Sequence, residues 1–295
     1  MNALHGIIDA FVNIPVPAEQ QLVPKSPAVI RWFSAGSPDL LQGSTVDDLI
    51  VDMDRCGIEA AILSVRNWWH HPASRPVGPL ATSHGIDDDL FDSFCEEGAH
   101  AVAAHPGRFH GSVMIDPMGG MAAVRQLERA VKEYGFIACR LFPATTGVRP
   151  NDPLCYPIYT KCIELGIPVV VQMGVPGPNR SALLQQPMLL DEILLTYPEL
   201  TVIGAHIGFP WHLETVALLQ KHPNFYLMTS GWAPRYIPAE IIHFLKTRGK
   251  QKVMWASDYP LLPMDRAVKE ALELELEEEV QRRFLTENCR EVFRL

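Results

Sequence analysis

Residues 157–173 read PIYTKCIELGIPVVVQM, and this stretch decides the predicted fold. Up to Leu165, apolar residues recur at three- and four-residue spacing, which is typical of a helix that covers a core. Gly166 and Pro168 end that helix, because glycine readily adopts the backbone conformation that closes a helix and proline cannot continue one. The β-branched run 168–173 follows as a buried strand. The stretch therefore predicts one helix-strand unit of a parallel sheet.

The same unit recurs along the chain. Apolar, β-branched runs predict eight strands, at residues 7–12, 60–65, 111–115, 137–142, 168–173, 201–205, 225–229 and 252–255. Helical patterns lie between them, at residues 46–56, 119–134, 157–165, 188–197, 211–221 and 238–247. Because helix and strand alternate and no glycine-rich nucleotide motif is present, the pattern favours a closed (β/α)8 TIM barrel over an open doubly wound sheet. We expect one domain over residues 1–295.

Two stretches interrupt this alternation, and each follows a predicted strand. Residues 15–41 are rich in Pro and Ser, and residues 66–87 carry Trp68, Trp69 and His70 among several Pro and Gly residues. Barrels build their sites from the loops that follow strands, so both stretches are predicted to be lids over a site. The three aromatic side chains are candidates for a wall against a flat substrate. The alternative is that they only fold onto the barrel rim.

Composition and charge restrict the partners and the compartment. The chain is 47% hydrophobic and 20% charged with a net charge of −9, so it can bury a large core but offers no basic surface for nucleic acid. No apolar run is long enough for a transmembrane helix, and the N-terminus lacks a signal-peptide pattern. The six cysteines are scattered without a CxxC pair and are predicted to be reduced and buried. We expect a cytoplasmic protein that binds neither membrane nor nucleic acid.

Side chains at the predicted strand ends mark a candidate site, because a barrel brings these ends together around one mouth. All of them but one are polar: Asp9, Phe11 and Asn13 from the first strand, Arg140 from the fourth, Gln172 from the fifth, His206 from the sixth and Asp258 after the eighth.

The strand ends also resemble a known family. The stretches 7–13, 166–174, 200–208 and 255–260 resemble the amidohydrolase-related family, in the branch that contains aminocarboxymuconate-semialdehyde decarboxylase. The resemblance spans nearly the whole chain and implies the barrel of metal-dependent hydrolases. It also implies a metal centre of a His-x-His pair on the first strand, a His after the fifth, a His after the sixth and an Asp after the eighth. His206 and Asp258 match this pattern, whereas Phe11, Asn13 and Gln172 depart from it.

These departures predict a degenerate metal site. A phenyl ring cannot bind zinc and an amide oxygen binds it weakly, whereas imidazole nitrogens bind it strongly. We therefore expect no tightly bound cofactor. A weaker centre that holds Zn or Mn through Gln172, His206, Asp258 and water stays open, because hard divalent ions accept oxygen ligands.

Asp258 and His206 are predicted to be the catalytic residues. The resemblance implies that Asp258 takes a proton from an attacking water and returns it to the leaving group, with His206 beside it as electrophile or proton partner. The alternatives are that Asp258 caps the following helix and that His206 is a hydrogen-bonded core histidine.

Further residues are predicted to bind substrate. Arg140 could clamp a carboxylate through two parallel hydrogen bonds, or form a structural salt bridge. Gln172 and Asn13 either contact substrate or fill the space of the missing ligands. Trp232, after the seventh strand, is another candidate for the aromatic wall.

Three functions are compatible with these residues. The leading hypothesis is a hydrolase of a small cyclic or aromatic carboxylated substrate, a lactone or an amide, that works by acid-base chemistry of Asp258 and His206. The second is a decarboxylase or hydratase of a related aromatic or muconate-like acid. The third is a catalytically silent barrel that binds a ligand. Each needs a small-molecule partner, and self-association into a homo-oligomer stays open.

Overall fold

The computed structural model describes residues 6–15, 42–65, 87–177 and 180–295. Most of the two predicted lid stretches lies outside the described residues, and so do Trp68, Trp69 and His70.

Within the described residues, eight parallel strands form one sheet in which each strand pairs with the next along the chain. The strands are β1 (Ile7–Asn13), β2 (Ile58–Val65), β3 (Phe109–Met114), β4 (Ala138–Leu141), β5 (Val169–Gln172), β6 (Val202–Ala205), β7 (Phe225–Met228) and β8 (Val253–Met254). Each overlaps a predicted strand, because strands that are covered on both faces are almost continuously apolar. The predicted (β/α)8 barrel is confirmed.

The barrel closes between its last and first strands through individual hydrogen bonds. The backbone N–H of Asn13 donates to the Tyr259 carbonyl at 2.8 Å, and the N–H of Asp258 donates to the Phe11 carbonyl at 2.9 Å. These bonds hold the segment that follows β8 against the C-terminal half of β1. Side chains that stand far apart in the sequence therefore lie side by side at the mouth.

Helices follow the strands and cover the outside of the sheet. They are α1 (Val46–Cys56), α2 (Asp88–Ala104), α3 (Met121–Lys132), α4 (Pro143–Thr146), α5 (Tyr156–Leu165), α6 (Asp191–Thr196), α7 (His212–Lys221), α8 (Ala239–Lys246), α9 (Met264–Leu272), α10 (Glu278–Arg282) and α11 (Asn288–Phe293). Short 3₁₀ turns occupy Pro117–Gly119, Pro153–Cys155, Ala182–Gln185, Pro187–Leu190 and Pro234–Tyr236, and a π-helical turn, Arg283–Glu287, joins α10 to α11.

The six predicted helices are present, one of them in a different form, and the structure adds α2, α4, α9, α10 and α11. The pattern at 188–197 folds as the 3₁₀ turn Pro187–Leu190 followed by α6. Helix α2 is not among the predicted segments; it begins after Asp87, whose side chain accepts from the N–H of Leu90 at 2.9 Å.

The core has two layers. One lies between the strands and the surrounding helices, and the other fills the inside of the barrel. The inner layer includes Ile8, Ile62, Val170 and Ile203, and α11 adds Phe293 to it. This apolar filling makes most of the interior a packed core, as is usual for such barrels.

All six cysteines are free, and five of them are buried, as their apolar surroundings in the sequence predict. Across the part of the chain that the structure describes, no helix has both the length and the apolar composition of a membrane span.

Candidate active site

His206 directly follows β6, Asp258 lies four residues after β8, and both have unusual backbone conformations. The φ angle is +65° at His206 and +60° at Asp258. Residues other than glycine seldom adopt this left-handed backbone conformation, and those held in it concentrate at functional sites. The two turns bring the Nδ1 atom of His206 within 3.9 Å of Oδ2 of Asp258. The structure thus brings the two predicted catalytic residues together.

Ser230, two residues after the end of β7, holds His206 in place. The Nδ1 atom of His206 lies 2.9 Å from the Ser230 carbonyl oxygen and 3.1 Å from Ser230 Oγ, and the backbone N–H of His206 donates to the same hydroxyl. Because a carbonyl oxygen can only accept, Nδ1 carries the hydrogen and Nε2 keeps its lone pair. Burial lowers the pKa of His206 to about 4, so the ring is neutral at pH 7.

Asp258 is a buried carboxyl that is held from the first strand. Its Oδ1 accepts from Asn13 Nδ2 at 2.8 Å, and the same amide donates to the Tyr259 carbonyl at 3.0 Å. Burial raises the pKa of Asp258 to about 7, against the lowering effects of the Asn13 hydrogen bond and of the nearby Arg140 charge. At neutral pH the acid and the carboxylate are therefore both present in quantity. Such a group can donate a proton as well as take one.

The structural alternatives for this pair are not supported. The helix after Asp258 is α9, which begins at Met264 behind Pro263 and has no side-chain cap. The His206 side chain is 18% exposed, so it is not sealed inside the core.

Arg140 ends up inside the barrel with no surface exposed. Its Nε donates to Ser112 Oγ at 2.6 Å, and its Cζ lies 3.9 Å from the centre of the Phe11 ring. Within the described ranges, Nη1 and Nη2 have no hydrogen-bond partner, and no ion pair joins Arg140 to an acidic residue. Burial lowers the pKa of Arg140 to about 9, which still leaves it charged at pH 7. The structural salt bridge, one of the two alternatives for this residue, is therefore not found in these ranges.

The other candidate residues lie on the strands and loops nearby. The centre of the Phe11 ring lies 5.9 Å from that of His206 and 3.9 Å from Arg140 Cζ, so Phe11 is a neighbour of both. Gln172 is the last residue of β5, and its Cα is in register with Ala205, which precedes His206. The Trp232 ring packs against Phe209 at 5.0 Å between ring centres, farther along the loop after β7.

Asp9 connects two of the segments that carry the candidate site. Its Oδ1 accepts from the backbone N–H groups of Ser257 at 2.9 Å and Phe11 at 3.2 Å, so one carboxyl oxygen links β1 to the turn that carries Asp258. The side chain is fully buried, and burial raises the pKa of Asp9 to about 7. Asp9 is one of the strand-end residues, but its linking role depends on the closure of the barrel and was not predicted.

Sequence reasoning also missed Ser230 and Gly231. Gly231 has a φ of +75°, and a Cβ atom at this position would stand 2.8 Å from His206 Nδ1 and 3.2 Å from Asp258 Oδ2. No side chain fits there without displacing His206 or Asp258. The available signal was their place directly after the predicted seventh strand, where polar or small residues line a barrel mouth.

The residues present do not fit the five-ligand metal centre that the resemblance implies. Phe11 offers no ligand atom, and the Asn13 amide nitrogen is turned towards Asp258, where it already occupies Oδ1. The charge of Arg140 adds repulsion for a second cation in the same space. Among the described residues, no group of three or more His, Cys, Asp or Glu side chains is arranged to hold a metal.

Comparisons with known proteins agree on one family. A family model described as amidohydrolase matches residues 75–295. Gamma-resorcylate decarboxylase of Polaromonas sp. is 23% identical over 261 residues, which cover 73% of this chain and 77% of that protein. The 2-amino-3-carboxymuconate-6-semialdehyde decarboxylase of Dictyostelium discoideum is 22% identical over 247 residues, which cover 72% of this chain and 66% of that protein.

A solved structure has the same fold. The 5-carboxyvanillate decarboxylase of Novosphingobium aromaticivorans, with manganese bound, matches with a TM-score of 0.73 at 19% identity, over 100% of this chain and 98% of that one. That enzyme holds a divalent ion, whereas the residues of this mouth have lost most of the implied ligands. The chain belongs to the amidohydrolase family, in the branch of the gamma-resorcylate and aminocarboxymuconate-semialdehyde decarboxylases.

Proposed function

We propose that this protein is a carboxy-lyase that releases CO2 from a small aromatic or similarly unsaturated cyclic acid. The observation that carries the proposal is the buried Asp258 carboxyl at the mouth, which titrates near neutral pH beside a neutral His206. Two of the three curated relatives support it, because they are named decarboxylases; the third is named a hydratase. The chemistry therefore differs from hydrolysis of a lactone or amide, the leading hypothesis from the sequence.

Decarboxylation of an aromatic acid begins with a proton at the ring carbon that carries the carboxylate. The acid form of Asp258 donates that proton. The bond between the ring carbon and the carboxylate then breaks, its electron pair returns to the ring, and CO2 leaves. One proton is consumed in each turnover, and Asp258 regains it from water. General acid catalysis of this kind contributes about 10²- to 10⁴-fold to a rate.

His206 assists through its free nitrogen. Because Nδ1 donates to the Ser230 carbonyl, Nε2 can accept a hydrogen bond from a hydroxyl on the substrate ring. Pulling this hydrogen away raises the electron density of the ring and makes the carbon that receives the proton more basic. An acid with a hydroxyl next to its carboxylate is therefore the substrate class that suits the pair best.

We expect kcat/KM for CO2 release to fall as the pH rises through about 7, because Asp258 loses the proton that it must donate. The direction in which kcat/KM changes with pH distinguishes decarboxylation from hydrolysis. A hydrolase would use the ionised Asp258 as a base, and its rate would rise through the same pH. The measurement is a pH profile of initial rates with a panel of 2-hydroxybenzoates, in which CO2 and the remaining acid are quantified separately.

The same panel tests the competing functions. A rising pH limb with a product that retains its carboxylate would contradict the lyase and favour hydrolysis. Tight binding of acids without any turnover would instead support the silent barrel.

A further inference from the structure

Arg140 is a buried positive charge, and its hydrogen bonds within the described residues do not offset the free energy that its burial costs. Its inner nitrogen is held by Ser112 Oγ, which in turn donates to the Leu63 carbonyl at 2.7 Å. The two outer nitrogens, by contrast, have no partner among the described residues. A buried charge whose donors stay unpaired destabilises a fold. The arrangement is therefore better explained by a ligand than by stability.

The position of this charge coincides with the lost metal site. The guanidinium lies over Phe11, the residue that stands where the family pattern has its first histidine. The positive charge of Arg140 acts on both His206 and Asp258. It partly offsets the burial that raises the pKa of Asp258, and it adds to the burial that lowers the pKa of His206. A divalent ion in this space would meet a cation and a phenyl ring where the pattern has imidazole.

We propose that the Arg140 guanidinium, in place of a divalent metal ion, is the charge that binds the anionic group of the ligand. This inference rests on the proposed function for the identity of the ligand, but the binding site itself follows from the geometry of Arg140.

The geometry also restricts the ligand. The two outer nitrogens of a guanidinium form a planar fork that matches two oxygens held in one plane. These are the oxygens of a carboxylate, or one carboxylate oxygen and the neighbouring oxygen of a 2-hydroxy acid. Phe11 covers one face of the fork, so the ligand approaches in its plane. When the carbon–carbon bond breaks, negative charge returns to the ring oxygen, where Arg140 stabilises it.

The test is calorimetric binding of 2-hydroxybenzoate and benzoate to protein treated with EDTA, with neutral 2-hydroxybenzamide for comparison. We expect at least one of the acids to bind without metal and the amide to bind more weakly. Arg140→Met should weaken binding of the acid by about 30-fold, because hydrogen bonds to charged groups are lost. Arg140→Lys should recover part of that loss. Arg129→Met, which removes a surface charge paired with Asp92, serves as the matched control and should bind normally.

Thermal unfolding gives a second readout that separates a binding role from a structural one. Without ligand, Arg140→Met should keep its Tm or raise it by about 2–4 °C, because an unpaired buried charge is removed. A clearly lower Tm would show that Arg140 is structural and would overturn the inference. Binding of neither acid, unchanged binding in Arg140→Met, or binding that requires added MnCl2 would overturn it as well. Metal-free binding through Arg140 without release of CO2 would leave the inference standing and refute the proposed function.

Discussion

Replacing Asp258 with Asn is expected to lower kcat by about 10³-fold or more while the barrel stays folded, because the only change is the loss of a transferable proton. The amide has nearly the same shape as the carboxyl, and its oxygen can still accept the hydrogen bond from Asn13. Asn also tolerates the left-handed backbone at position 258, where φ is +60°. Initial rates of CO2 release, measured with saturating acid, give the size of the loss.

The stability of the same variant provides an independent check. The folded-state pKa of Asp258 is raised from 3.8 to about 7, so its ionisation destabilises the fold as the pH rises through this interval. At pH 8 the Asn variant should therefore be more stable than the parent, on the order of 4 kcal/mol, and the difference should vanish near pH 4. Asp116→Asn alters another buried carboxyl near a strand end and should retain activity. Near-normal turnover in Asp258→Asn would contradict the catalytic assignment.

Gly231→Ala is expected to reduce kcat/KM by about 10²-fold or more, because a shift of catalytic atoms by about 1 Å has effects of this size. The new methyl group would stand 2.8 Å from His206 Nδ1 and 3.2 Å from Asp258 Oδ2, closer than ordinary contacts allow. His206 would have to leave the Ser230 carbonyl, and the proton on Nδ1 would lose its acceptor. Steady-state kinetics together with binding of 2-hydroxybenzoate would show whether the chemical step or the ligand site suffers more.

Backbone strain must be separated from this steric effect. Gly135 has a φ of +71°, close to that of Gly231, but a Cβ atom there would have no neighbour within 4 Å. Gly135→Ala should therefore lose stability from strain and keep its activity. If Gly231→Ala were as active as Gly135→Ala, the close packing of the catalytic pair around Gly231 would be wrong.

The fold was predictable because each unit of it is local. The helix-strand pattern at 157–173 needs no information from elsewhere in the chain, and the same pattern recurs for each strand. Helix α2 was missed because it begins directly after a stretch that breaks the rhythm, at Asp87.

The site was predictable only as a set of strand ends. His206 and Asp258 could be found because parallel strands direct their C-terminal ends to one mouth. Their mutual geometry could not be found, since it depends on two left-handed turns and on the bonds that close β8 against β1. For the same reason the bridging role of Asp9 and the fit of Gly231 were invisible in the sequence.

The role of Arg140 could not be predicted from its residue type and position alone. From the sequence, Arg140 could be a carboxylate clamp or part of a structural salt bridge, because a buried arginine can serve either role. Only the contacts distinguish them: Nε is held by Ser112 Oγ, while the outer nitrogens have no partner within the described residues. Phe11 looked like a lost ligand in the sequence, whereas in the barrel it supports the guanidinium.

The most direct test of a metal-free lyase is to follow one turnover product in D2O. Protein stripped with EDTA, with its metal content measured, would be incubated with 2,6-dihydroxybenzoate carrying a ¹³C label in the carboxylate. We predict that labelled CO2 forms in step with the decarboxylated ring, and that the ring carries one deuterium at the carbon that lost the carboxylate. Release of CO2 only after Mn²⁺ is added, or a product that retains the labelled carboxylate, would contradict the account.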